Sequence, residues 1–234
     1  MNILSTITNI FTKTPPIVTN TIVSYDIETY LVNHTNQIEE ELRLFIDKYG
    51  SDFDTFLYRQ NFDTFIRTEI LLFRQPNSKH NDFLDNSYWN TKHPFNFPGS
   101  FYTGESDTCG TGDVEAPNNV MYDENAREFI FRQPQTFEEL LRVVDAGAVE
   151  VLDSYSCDGN NFWTYGKCKE WWKKRFDIIS EMNKTETKKV NGNRVCLFER
   201  YLKSNAENDL RKYCYFLENG NYPTLDITTL PQLD

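Results

Sequence analysis

Two carboxylates one residue apart, Asp26 and Glu28 in the stretch SYDIETY, are the first groups in this chain whose types and spacing could do chemistry. On a β-strand both would project from one side and could share a divalent cation, as the opening motif of a metal-dependent exonuclease does. On a helix they sit about 200° apart and could not. The surrounding pattern favours the helix. Ile27, Leu31, His34, Ile38, Leu42, Phe45 and Tyr49 recur at alternating steps of three and four residues, and Gly50 follows as a cap. Asp26 and Glu28 then read as acids complementing a helix N-terminus, and His34 as a packed residue on the apolar stripe. The remaining exonuclease elements can be sought only at Asn61-Phe62-Asp63 and at His80 with Asp85, within a helical pattern and a polar loop.

A second candidate is Cys109, in GESDTCGTGD (Gly104–Asp113). Small residues on both sides could present backbone N–H groups to an oxyanion, with His80 or His93 as base. Glu105, Asp107 and Asp113 work against this, because neighbouring acids raise a thiol pKa where an active cysteine needs it lowered. The reading preferred for Cys109 is a small apolar residue beneath a turn-rich loop.

Zinc needs ligands in closely spaced pairs that let one tight turn offer two donors. The five Cys (Cys109, Cys157, Cys168, Cys196, Cys214) and three His contain no such pair, so no metal is expected. Neither a phosphate-binding Gly-x4-Gly-Lys-Ser/Thr loop nor a Gly-x-Gly-x-x-Gly turn occurs, and no cofactor is expected. Thirty-five acids can always be paired on paper, so glycoside hydrolysis cannot be argued from counting. The basic stretch KCKEWWKKRF (Lys167–Phe176) could hold a single strand by charge neutralisation and stacking, but a helix with one core Trp, one boundary Trp and a solvated lysine edge is the preferred reading.

These residues must be positioned by elements that the sequence outlines as a mostly helical α+β fold. After Pro15-Pro16, the two long apolar-periodic segments ending at Gly50 and before Pro76 predict an N-terminal helical hairpin, the second helix running from Phe53 to Leu71. Residues 77–127 form a loop-rich middle, dense in Pro, Gly and aromatics, with room for a few short strands. Arg127–Gln133 reads as a strand. Thr136-Phe-Glu-Glu139 has capping-box spacing and opens a helix weakened at Gly147. Thr164 caps a helix running through Trp171 to Met182, the Asn-Gly in Val190–Phe198 predicts a hairpin, and a last helix spans Asn208 to Leu217 before Gly220. Residues 1–14 have helical apolar spacing and are expected to dock, and the chain is expected to form one globular domain over 1–234.

Composition bounds the function. With 39% hydrophobic and 15% aromatic residues the chain can bury a core, and no apolar run reaches the length of a membrane span. An odd cysteine count without a recognisable signal peptide points to reduced thiols and a cytoplasmic location. The charge is uneven: residues 1–150 hold 11 Lys/Arg against 23 Asp/Glu, and residues 151–234 hold 13 against 12. A net charge of -11 carried by the first two-thirds disfavours nucleic acid and favours a basic protein partner.

The expectation is therefore a non-catalytic intracellular binding protein with an acidic surface, of the kind in which an immunity protein or inhibitor occludes a basic toxin or effector. Its binding surface is expected on two turn-rich segments, 101–119 and 155–165, with Tyr102, Glu105, Asp107, Cys109, Asp113, Asp158, Asn160 and Trp163 presented outward. A hydrolase-like enzyme centred on Cys109 or on Tyr155–Gly166, and a viral or assembly protein docking through residues 1–14, are the alternatives.

Overall fold

The computed structural model describes residues 39–71, 84, 87–104, 110–150, 152, 154–224 and 229–234. Asp26, Glu28, His34, the segment 1–14 and the site candidates Glu105, Asp107 and Cys109 lie outside the described residues. The chain divides into two compact units, 1–44 and 45–234. In the first, residues 39–44 are helical, with Arg43 paired to Glu40 one turn earlier at 2.6 Å.

The second unit is mostly helical with short strands, as the sequence predicts. Helical residues 45–49 end where Gly50 takes φ 89° and its N–H returns to the Ile46 carbonyl. Phe45 and Tyr49 pack edge-on against Phe56 and, for Tyr49, Phe65, with ring centres 5.3 to 5.8 Å apart, so the expected hairpin contact forms. Its second arm is not one helix. Asp52 caps α1 (Phe53–Leu57) by accepting from Thr55 N; Asn61 then turns left-handed at φ 54° before α2 (Phe62–Phe65), which widens into a π-helical turn over Ile66–Ile70. Asn tolerates that backbone region better than most residues, which is why the chain can restart a helix there without glycine.

The middle of the chain supplies two small antiparallel sheets. β1 (Tyr102–Thr103) pairs with β4 (Tyr155–Ser156), Tyr102 opposite Ser156; β2 (Val120–Tyr122) pairs with β3 (Glu128–Ile130), Val120 opposite Ile130. The strand expected over Arg127–Gln133 is thus shorter: the pairing runs out after Phe131 N donates to the Asn119 carbonyl opposite it, and the Gln133 side chain bonds instead to the Phe97 carbonyl. A one-turn helix, α3 (Gly112–Glu115), precedes β2, and α4 (Phe137–Val149) follows β3. α4 starts as expected, with the Thr136 side chain accepting from Glu139 N; the Glu139 carboxylate reaches back one residue further than in a reciprocal box, to Gln135 N at 2.9 Å.

Residues 165–219 form a run of helices: α5 (Tyr165–Lys173), α6 (Arg175–Met182), α7 (Thr185–Asn191), α8 (Arg194–Lys203) and α9 (Ala206–Asn219), ended by Gly220 at φ 75°. Three expectations are corrected here. The helix from Thr164 is capped as expected, by Thr164 accepting from Lys167 N, but it breaks at Lys174. Trp171 and Trp172 are both buried, because the core wraps that helix broadly: Trp171 meets Phe97 at 5.1 Å, and Trp172 lies beneath the Arg175 guanidinium. Val190–Phe198 is no hairpin. Asn191-Gly192-Asn193 links α7 to α8, with Gly192 at φ 57° closing α7 onto the Lys188 carbonyl; the left-handed tendency of Asn-Gly serves a helix end as readily as a strand turn.

The two sheets are joined by side-chain amides. Asn96, fully buried, donates to the carbonyls of His93 (2.9 Å) and Thr103 (2.8 Å) and accepts from the N–H groups of Thr103 (3.1 Å) and Ile130 (2.9 Å). The Thr103 hydroxyl has a single proton, and the shorter of its contacts, to the Glu128 carbonyl at 2.6 Å, takes it. Gln133 likewise donates to the Phe97 and Phe101 carbonyls and accepts from Phe101 N. Asn191 binds both backbone groups of Tyr122, N at 2.9 Å and O at 2.8 Å. A core of aromatic and aliphatic side chains from Phe97, β2, β3, α5, α6, α8 and α9 closes over these bonds.

Replacing Asn96 with Leu keeps the volume but orphans two buried N–H groups, those of Thr103 and Ile130, while the His93 and Thr103 carbonyls lose one donor each and keep a backbone N–H. At about 1 to 3 kcal/mol per abandoned group, offset by relaxation, urea denaturation should show a stability loss of about 3 to 5 kcal/mol. A loss below about 1 kcal/mol would mean that the sheets do not depend on this amide.

Candidate functional site

The structure brings the segments 101–104 and 155–163 together, but to seal the interior. Tyr102 is buried, and its hydroxyl donates to Asp158 Oδ1 at 2.6 Å. Asn160 accepts from the Ser100 hydroxyl (3.1 Å) and the Tyr213 hydroxyl (2.8 Å). Gly159 sits so close to the Gly99 carbonyl that an added methyl group would overlap it. Trp163 is 5% exposed. The outward presentation expected of Tyr102 and Trp163 is therefore corrected: Tyr102 is buried on β1 where it pairs with β4, and Trp163 is buried at the end of the turn that begins at Gly159. Asp158 and Asn160 are half-buried in the same seam.

Asp113 lies apart from that seam, half-buried, receiving the Tyr122 hydroxyl at 2.5 Å and the Arg194 guanidinium at 2.7 Å. Next to it is a carboxyl that sequence reasoning missed, Glu128 on β3, fully buried. It accepts from Gly112 N at 2.8 Å and from the Tyr155 hydroxyl at 2.6 Å. Burial pushes the Glu128 carboxyl above the usual range, with the hydrogen bonds opposing and the charges of Glu150 and Asp113 adding to the rise. Its period-two position on a strand could have marked it as inward-facing; nothing local marked its partners.

His93, a candidate base in the sequence, is fully buried and occupied. Its Nδ1 accepts from Phe95 N at 3.1 Å, so Nε2 carries the proton and donates to Asp123 Oδ2 at 3.1 Å. Burial works to raise the Asp123 pKa, but bonds from His93 and from Arg127 overcome it and hold the carboxyl well below the usual range. This triad pins the β2–β3 turn. Cys157, also buried, has a thiol pushed far up by desolvation, the reverse of an activated nucleophile.

A cleft of about 730 Å³ lies elsewhere, between α1 and the end of α9. Asp52 and Asp54, both exposed, stand on one wall; Tyr58 and Tyr222 stack as its floor at 4.8 Å and 27°. Local sequence explains each placement. Asp52 is the N-cap of α1, its pKa lowered by the Thr55 hydroxyl and N–H, and Tyr58 is the residue at which α1 stops. Tyr222 follows the Gly220 cap of α9, held there by Gln60 Nε2 donating to the Gly220 carbonyl at 3.0 Å. Burial, then the Asp54 charge, raise the Tyr222 pKa, so the phenol stays neutral. Two cations border the cleft. Arg59 is committed to the Phe56 carbonyl at 2.9 Å and to the rings of Phe56 and Phe65, and the Lys212 ammonium lies 5.8 Å from the Tyr222 ring centre.

Two exposed carboxylates beside a stacked tyrosine pair make a receptor for a cationic side chain, which would gain charge pairing and a π face together. Among the described residues, no group of His, Cys, Asp and Glu is arranged to hold a metal ion, and no helix is long and apolar enough to cross a membrane. Compared with protein-family models, curated proteins and solved structures, the chain matches none.

Glu128 gives a pH signature. Its raised folded pKa means that the folded state holds this proton where the unfolded chain has lost it, so its contribution is fully present below the ordinary glutamate range and is lost as pH rises through the folded value. Glu128→Gln keeps the bond from Gly112 N through its Oε1, turns the Tyr155 contact round so that Nε2 donates to the hydroxyl, and does not titrate. The stability of the wild type relative to this variant should fall as pH rises from the ordinary glutamate range through the folded pKa, by about 1.4 kcal/mol for each unit of the rise. A relative stability that instead grows with pH would refute the assignment.

Proposed function

We propose that this chain is a non-catalytic, cytoplasmic binding protein that captures a basic protein partner, inserting a lysine or arginine of that partner between Asp52, Asp54 and the Tyr58–Tyr222 stack. The observation that carries the reading is that cleft: acids held ready at a helix start, over an aromatic floor whose phenols stay neutral. The excess of acids in residues 1–150 supports it, since a negative field steers a basic protein towards contact. Stacked tyrosines at the contact supply rigid buried area, the usual source of interface energy, while the rim charges set the rate of encounter. Covering a basic surface in this way is what an immunity protein or inhibitor does to a toxin or effector, and that is the role proposed here.

The test uses an arginine-rich peptide as probe. Asp52→Asn retains the cap of α1, because Asn caps as well as Asp, and Asp54→Asn removes the second charge without bulk. The double variant should bind the peptide about tenfold more weakly than the wild type in calorimetry, with less dependence on salt. Unchanged affinity and salt dependence would overturn the proposal.

A further inference from the structure

A second cleft, of about 470 Å³, has the opposite character. One side is the face of α5 that carries Lys167, Glu170 and Trp171, continued by Lys174 at the C-cap; the steps of three, one and three put all four on one stripe. The other side is Trp89, Lys92 and Trp163. The lysines are held on the aromatic rings. The Lys167 ammonium lies 4.9 Å from the Trp89 ring centre and donates to the Phe162 carbonyl at 2.8 Å; that of Lys92 lies 5.3 Å from Trp89 and 5.0 Å from Trp163. Glu170, the acid in the cleft, is paired with Lys173 at 2.7 Å. Trp163 is nine-tenths buried, and its indole N–H has no acceptor among the described residues. A donor of that kind costs stability unless an oxygen reaches it.

We infer that this cleft binds a free nucleotide, with the phosphate among Lys92, Lys167 and Lys174 and the base against Trp89, the half-buried one of the three indoles. Each part of that chemistry has its counterpart. Preplaced ammonium groups suit a phosphate, indole surfaces suit a planar base, and the volume lies within the range of about 300 to 1,000 Å³ usual for small-molecule sites. The net charge of -11 selects the size of ligand. A polynucleotide brings many phosphates towards a chain of net negative charge, whereas a mononucleotide brings only the few that these lysines can neutralise.

The inference is independent of the acidic cleft and is tested on the full chain by calorimetry with AMP, ADP and ATP. Saturable binding should appear by millimolar concentration and strengthen with the number of phosphates. Lys167→Ala with Lys174→Ala, both exposed positions, should weaken ADP binding about tenfold, while Lys203→Ala, on α8, should leave it unchanged. Trp89→Leu should abolish the quenching of tryptophan fluorescence that ADP produces, with circular dichroism verifying the fold. Absence of binding, equal binding by the double lysine variant, or tighter binding of an oligothymidine strand than of its mononucleotide would each overturn the inference.

Discussion

The carboxamide of Asn96 bonds to three stretches of backbone at once, and the geometry of the middle of the chain follows from that. Residues 87–135 contain strands of two and three residues, too short to satisfy their own backbone through ladders. Buried peptide groups without partners would cost more than the fold can spare. Asn96, Gln133 and Asn191 meet the need by offering a donor and an acceptor in the geometry of a peptide group, each serving as a one-residue stand-in for a neighbouring strand. Regular structure is replaced by amides reaching across gaps of up to 69 residues.

This arrangement fixes the surroundings of both clefts. The seam of β1 and β4 carries Tyr102 against Trp89 at 5.8 Å, and Trp89 in turn meets Trp163 at 5.1 Å; the aromatic wall over α5 therefore rests on the same strands that Asn96 anchors. The acidic cleft has a separate support, since α1 and the end of α9 are held by Tyr58 packing on Phe216 and by Gln60 on Gly220. The two clefts thus rest on different local contacts. Substitutions in either can be interpreted without disturbing the other.

What the sequence made legible was local. Thr136 and Thr164 cap helices, and Gly50 and Gly220 end them, at the positions their types predict, because capping involves residues three or four apart. The mostly helical α+β class followed from the same signals. The breaks at Asn61 and Lys174 were not legible, since the apolar period runs through both; tertiary packing, not spacing, interrupts the helices there. Asn191-Gly192 was misread because its backbone preference fits two turn contexts, and only the distant Tyr122 distinguishes them. The stacked pair Tyr58 and Tyr222 was invisible, as no local pattern relates residues so far apart. Turn-rich composition located segments that meet, in Tyr102, Asp158 and Asn160, but composition does not say whether turns face solvent or one another.

Asn191 has one more consequence. Short strands in a two-stranded sheet leave an open row of peptide groups, the usual template on which a second molecule adds in a growing β-stack. Because one carboxamide from α7 occupies both the N–H and the carbonyl of Tyr122, that rung of β2 is already filled by the chain itself. The same bond that closes the fold therefore guards it against self-association through this edge.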